Sequence, residues 1–352
     1  MEDESTNNSC SGNITLVDHS FSTFVKFFAN ISSGVGCVLV TILVLISLFH
    51  SSMRSQPRHI IAMISLADGI QCAYVLYAET VRDRANFRCD IISIVGNGVG
   101  ISSLLWSICL LLYVVISLFR LRIDKALLIK IFHLVCWSLP VVTACFTWIV
   151  RGYEYQNNYL LSDQCFTTMN FEYRMSPCGQ VLCLPTTSTV VWMFVNYYGL
   201  VIIGIVIVCI LTVIYAQKMI SIYYILKKEA PQTEYRIFQS TYKSSMKLIS
   251  IPVLYSVLWI PSLTNIFYTS HCGSLSSMGQ QKAMQFFYLF APFLMCLYNF
   301  IMYAAGSQTF RASISTWFYG RKQPPQLDAT SEFIYTYVEN SFAKSLESIT
   351  VN

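Results

Sequence analysis

Asp68 is the only carboxylate set deep within a long apolar stretch of this 352-residue chain. An ionisable group at such a depth is costly, and it faces the interior of a helix bundle or a water-filled cavity. Asn97, Ser103 and Asn299 lie in other apolar stretches and are the candidates to join it in a polar core. The chemistry open to such a set is the holding of a sodium ion or of water. The plainer alternative is a lone Asp near the inner end of its helix, hydrogen-bonded to backbone or water.

Thiols and imidazoles are the other reactive groups. Thirteen cysteines occur, and seven of them fall inside apolar stretches, where Cys behaves as a small apolar residue. The other six are Cys10, Cys89, Cys165, Cys178, Cys183 and Cys272. All six fall in segments assigned below to the outer side, where disulfides persist. Cys89 and Cys165 are the expected pair, against the alternative of free buried thiols. The remaining four permit three pairings, and sequence does not choose among them. The five histidines, His19, His50, His59, His133 and His271, are dispersed. His50 and His59 flank one loop, which is too little for the clustered ligands of a metal hydrolase. No metal or cofactor is expected, and no enzymatic activity.

The elements that position these residues are seven apolar stretches, at about 24–49, 60–77, 91–119, 127–150, 190–226, 248–268 and 283–305. About 20 helical residues cross a bilayer core of ~30 Å. Apolar residues make up 55% of the chain and charged residues 12%, against about a quarter in a soluble domain. The expected fold class is an all-α membrane protein: a seven-transmembrane helix bundle with the N-terminus outside and a short amphipathic helix after the seventh span. The domains expected are an extracellular glycosylated head over 1–23, the bundle over 24–305, a membrane-parallel helix over 306–320 and a disordered cytoplasmic tail over 321–352. Within the bundle, the long loop over 151–189 would form an outer lid, since long ordered loops are usually functional. The net charge of +5 comes from basic residues at helix ends, not from one patch, so nucleic acid is not an expected partner.

Two signals give the orientation. Asn7, Asn13 and Asn30 stand in the sequons Asn-Asn-Ser, Asn-Ile-Thr and Asn-Ile-Ser, confined to the head or the start of the first span. Asn7 and Asn13 are the expected glycan acceptors, and Asn30 lies too close to the membrane. With the N-terminus outside, 16 of the 23 Lys and Arg residues fall on the cytoplasmic side and 7 on the outer side. That bias agrees with the positive-inside rule. No basic segment followed by an apolar one opens the sequence, so the first span is expected to act as an uncleaved anchor.

Seven spans with a Cys at the head of the third and another in the second outer loop resemble G-protein-coupled receptors, over roughly residues 24–319. Leu258-Trp259-Ile260-Pro261 resembles the Cys-Trp-x-Pro of rhodopsin-like receptors, with Leu in place of Cys. Asn299-Phe300-Ile301-Met302-Tyr303 resembles their Asn-Pro-x-x-Tyr, with Phe in place of Pro. Other residues depart from that class. Tyr113-Val114-Val115 stands where the Asp/Glu-Arg-Tyr triplet is expected, and Asp68 lies in a different register. Trp137-Ser138-Leu139-Pro140 in span four, with span six from Lys247 to Ile266, is similar to the cAMP-receptor-like group and its animal orphan relatives.

The resemblance implies roles for particular residues. Trp259, Pro261, Asn299 and Tyr303 would form an activation switch, because Pro kinks a helix and an indole one turn away couples ligand contact to the swing of its inner half. The alternative is a packing Trp beside a structural kink. Arg120, Arg122, Lys243 and Lys247 would face a heterotrimeric G protein, or serve as topogenic charge on anionic membrane lipid. Gly96 occupies the place of the amine-binding Asp of rhodopsin-like receptors, and Phe293 that of the retinal-binding Lys. An amine and a Schiff-base retinal are therefore not the expected ligands.

The function expected is that of a G-protein-coupled receptor in the plasma membrane, transducing an extracellular ligand whose identity the sequence does not give. The alternatives are a multi-pass transporter or a non-signalling seven-helix membrane protein. No internal repeat and no paired Gly/Pro breaks support the transporter.

Overall fold

The computed structural model describes residues 19–49, 56–80, 86–119, 121, 123–151, 153–156, 164–167, 171–175, 181–185, 191, 199–229, 239, 242, 246–260, 287 and 290–302. Among them are seven helical segments. These are α1 (His19–Phe49), α2 (Gln56–Thr80), α3 (Asn86–Leu118), α4 (Lys125–Arg151), α5 (Gly199–Glu229), α6 (Met246–Ile260) and α7 (Phe290–Met302). The first five are long and apolar enough to cross a membrane, and the last two are shorter apolar helices.

Helices run past the apolar stretches that mark them. α2 begins at Gln56 and admits Pro57 in its first turn, where the missing N–H is no loss. α3 begins at Asn86, five residues before the expected Ile91. α4 carries Pro140 within its length, buried against the bundle, and the Thr143 hydroxyl donates to the Pro140 carbonyl at 2.9 Å.

α3 is the axis of the bundle. Ile101, Leu104, Trp106, Leu110 and Leu111 are buried on several of its faces, as expected of a helix surrounded by others. It packs on α2, α4 and α5, while α1 packs on α2. The α1–α2 contact is close: a Cβ on Gly69 would stand 2.7 Å from a methyl of Val40. One core cluster joins Leu43 of α1, Ile64 of α2, Trp106 of α3, Phe132 of α4, Tyr255 of α6 and Met295 of α7. A second joins Val114 and Val115 of α3 to Tyr215 and Met219 of α5 and Ile249 of α6.

The segment after α4 is not plain loop. It holds two antiparallel hairpins, β1 (Tyr153–Gln156) with β2 (Gln164–Thr167) and β3 (Phe171–Met175) with β4 (Val181–Pro185). Tyr155 stands opposite Cys165, and Tyr173 opposite Cys183. Aromatic and branched residues at alternate positions suit such strands. The first hairpin rests on α3, and β2 also meets α2 and α4. The head over 1–18, the segment over 306–320 expected to be amphipathic and the tail over 321–352 lie outside the described residues.

Candidate functional site

Asp68 is the thirteenth of the 25 residues of α2, at the middle of the helix and not near its inner end. Its side chain is 1% exposed. Three donors from three other helices converge on it. The Ser103 hydroxyl of α3 donates to Oδ1 at 2.5 Å. The Tyr255 hydroxyl of α6 donates to Oδ2. Asn299 Nδ2 of α7 donates to Oδ2 at 2.8 Å and to the Tyr255 hydroxyl oxygen at 3.1 Å. A carboxylate is an acceptor with about four lone-pair sites, so the set is complementary in sign as well as in shape.

Of the residues expected to form a polar core, the structure brings together Asp68, Ser103 and Asn299, and Tyr255 joins them though its sequence position did not single it out. Tyr255 lies four residues before Trp259, one turn of the same helix, and that spacing is the signal that could have found it. Asn97 lies on α3 six residues before Ser103, about 9 Å of helix rise away. The Asn97 side chain lies outside the described residues.

A small cavity, open to solvent, adjoins this network. Asp68, Gln71 and Ser103 line it together with Tyr255, Trp259 and Pro292. Trp259 is 9% exposed and packs on Leu104 of α3 and Val201 of α5. One indole therefore touches the cavity, α3 and α5, while one turn away on the same helix Tyr255 holds α2. Pro252 lies a further turn down, and the Ser256 hydroxyl donates to its carbonyl at 3.0 Å. Tyr298 of α7 donates to the Ser250 hydroxyl at 2.5 Å, a second tie between α6 and α7.

The oxygens gathered here suit a small hard cation: the Asp68 carboxylate, the Ser103 and Tyr255 hydroxyls, and Asn299 Oδ1, which is buried without a partner. As arranged, however, three donors already point at the carboxylate. A cation on Oδ2 would require the Tyr255 hydroxyl or the Asn299 amide to turn away. The geometry observed is that of a closed hydrogen-bond network.

The remaining candidates fall as follows. Gly96 is buried, and a Cβ there would stand 2.6 Å from the Tyr74 ring, so that ring fills the place of a carboxylate side chain. Val114 and Val115 lie in the apolar seam between α3, α5 and α6, where an ionic lock was expected to be missing. Lys247 is exposed at the start of α6. Arg120, Arg122, Lys243, Pro261, Tyr303, Asn7 and Asn13 lie outside the described residues. Cys89 sits in the first turn of α3 and Cys165 on β2, and the first hairpin packs on α3. The side chains of both cysteines lie outside the described residues. The histidines are less dispersed than their spacing implies, since His59 and His133 meet between α2 and α4.

No protein-family model and no curated protein matches the sequence. Among solved structures, the crystal structure of squid rhodopsin superposes with a TM-score of 0.63 at 15% identity, covering 90% of this chain and 91% of that one. The fold is the seven-helix bundle of that structure. It is a membrane protein fold, and the coverage shows that the likeness extends over nearly the whole bundle of both chains.

Proposed function

We propose that this protein is a plasma-membrane receptor that passes the binding of an extracellular ligand to a heterotrimeric G protein. The observation that carries the reading is the continuity of cavity, Trp259, Tyr255 and Asp68. A ligand in the cavity would touch Trp259, one turn along the same helix from Tyr255. Its tighter binding to a conformer with Tyr255 turned off Asp68 shifts the population toward that conformer. The inner seam of Val114, Val115 and Ile249 is apolar, so it can part without breaking a buried ion pair. The opened face would take a partner helix in a groove, with Lys247, Lys243, Arg120 and Arg122 at its rim. On the motifs of spans four and six, the chain stands near the cAMP-receptor-like group.

The test is a panel of Gα biosensors in cells expressing the chain. Basal activation of one Gα class is expected, falling on substitution of Lys247 and Arg120 and changing on Trp259→Ala at equal surface level. Equal losses of signal and expression for Trp259→Ala would reduce the indole to packing. Silence of every biosensor, with the chain at the cell surface, would count against the reading.

The same reading puts the N-terminus outside, with glycan on Asn7 or Asn13 and a Cys89–Cys165 bridge holding the first hairpin as a lid over the α3 end. Glycosidase treatment is then expected to speed the chain on a gel, and unreduced peptide mapping to join the two cysteines. An unchanged mobility with both thiols free would remove the outer-face assignment.

A further inference from the structure

His59 of α2 and His133 of α4 are 74 residues apart in sequence, and their Nε2 atoms stand 2.8 Å apart. Both rings are half-buried, with centroids at 5.1 Å and planes at 51°. Trp106 of α3 sets its edge against the His133 ring, centroids 4.9 Å apart at 79°. The Trp106 side chain is fully buried. The two imidazole nitrogens thus face each other between two helices, at hydrogen-bonding distance and beside a buried indole.

We propose that this pair is a bidentate site for one divalent transition-metal ion of the zinc class, clasping α2 to α4. Imidazole is a ligand of choice for zinc, copper and nickel, whereas calcium and magnesium take oxygen. Tetrahedral zinc with two nitrogens at 2.0–2.1 Å places them about 3.3 Å apart. To admit the ion, the nitrogens must part by about 0.5 Å and both rings must turn until their lone pairs meet at the metal. Each ring then presents Nε2 to the metal and keeps its proton on Nδ1. Among the described residues, no group of three or more His, Cys, Asp or Glu could hold a metal. Water fills the remaining positions, and the site is an exchangeable one rather than a structural one. Binding would couple the α2–α4 contact to metal level, because the ion gains both ligands only when the two helices are together. The site is separate from the polar core around Asp68 and does not depend on the receptor reading.

The experiment is a thermal melt of the purified full-length protein in detergent, titrated with zinc, nickel or magnesium chloride. Zinc and nickel are expected to raise the melting temperature by a few degrees, and magnesium not to. His59→Asn and His133→Asn should each abolish the rise, while a His19, His50 and His271 triple Ala variant should keep it. Should either Asn variant fail to fold, copper bound to the parent protein serves instead. Its electron paramagnetic resonance spectrum should show two imidazole nitrogens, unchanged in the triple variant. No zinc-dependent rise in the parent, or a rise or copper signal lost with the other three histidines, would leave a His–His hydrogen bond only and overturn the proposal.

Discussion

Tyr255→Phe is expected to raise basal G-protein activation several-fold without lowering the amount of protein at the cell surface. The substitution removes one oxygen and leaves the ring in its core cluster. The hydroxyl is the direct link between α6 and α2, and its acceptor is Oδ2 of Asp68. A hydrogen bond to a charged group contributes about 1.5–3 kcal/mol. At about 1.4 kcal/mol per factor of ten, its loss from one conformer shifts the equilibrium roughly 10- to 100-fold toward the other. Asp68 keeps the Ser103 and Asn299 donors, so the carboxylate is not stranded. The Asn299 amide loses an acceptor at 3.1 Å but keeps its bond to Oδ2. The check is a Gα biosensor read at matched surface level beside a melting curve. A lower melting temperature with unchanged basal signal would make the hydroxyl a structural bond and not a latch.

The network around Asp68 was legible in the sequence only in part. Asp68 was conspicuous because a lone carboxylate in an apolar stretch needs partners, whatever the fold. Ser103 and Asn299 followed as polar residues in neighbouring spans. Tyr255 did not, because its ring is apolar enough to pass for packing among 22 tyrosines, and only the rotation of α6 aims its hydroxyl at α2. The His59–His133 contact has no local signal at all, since it is made by bringing together α2 and α4 across 74 residues. Apolar stretches located the spans but not their ends. Helices continue through polar residues once the backbone hydrogen bonds are running, as at Gln56-Pro57-Arg58 and at Asn86. The two hairpins after α4 were hidden for another reason. Strands of four or five residues carry too few alternations to stand out, and it is their pairing that defines them.

The second large effect is expected at Asp68, and the choice of substitution decides its size. Asp68→Leu removes the acceptor and leaves the donors. Tyr255 and Asn299 are buried, at 1% and 0% exposure, so their polar groups stay largely desolvated once the carboxylate is gone. Relief from burying the carboxylate works in the opposite direction. Leaving a buried donor without its acceptor nevertheless costs about 1–3 kcal/mol for each group stranded. Asp68→Asn should behave differently. Its amide oxygen can take the place of Oδ2 and accept from Tyr255 and Asn299. Its amide N–H₂ would then face the Ser103 hydroxyl, which can rotate to accept. Only the charge assistance is lost. Melting curves in detergent, with surface expression beside them, should therefore rank the parent first, Asp68→Asn close behind and Asp68→Leu far below. Equal stability of the Leu and Asn variants would mean that the network contributes no net stability. The four side chains would then matter for the choice between conformers alone, and the Tyr255→Phe result would carry that role by itself.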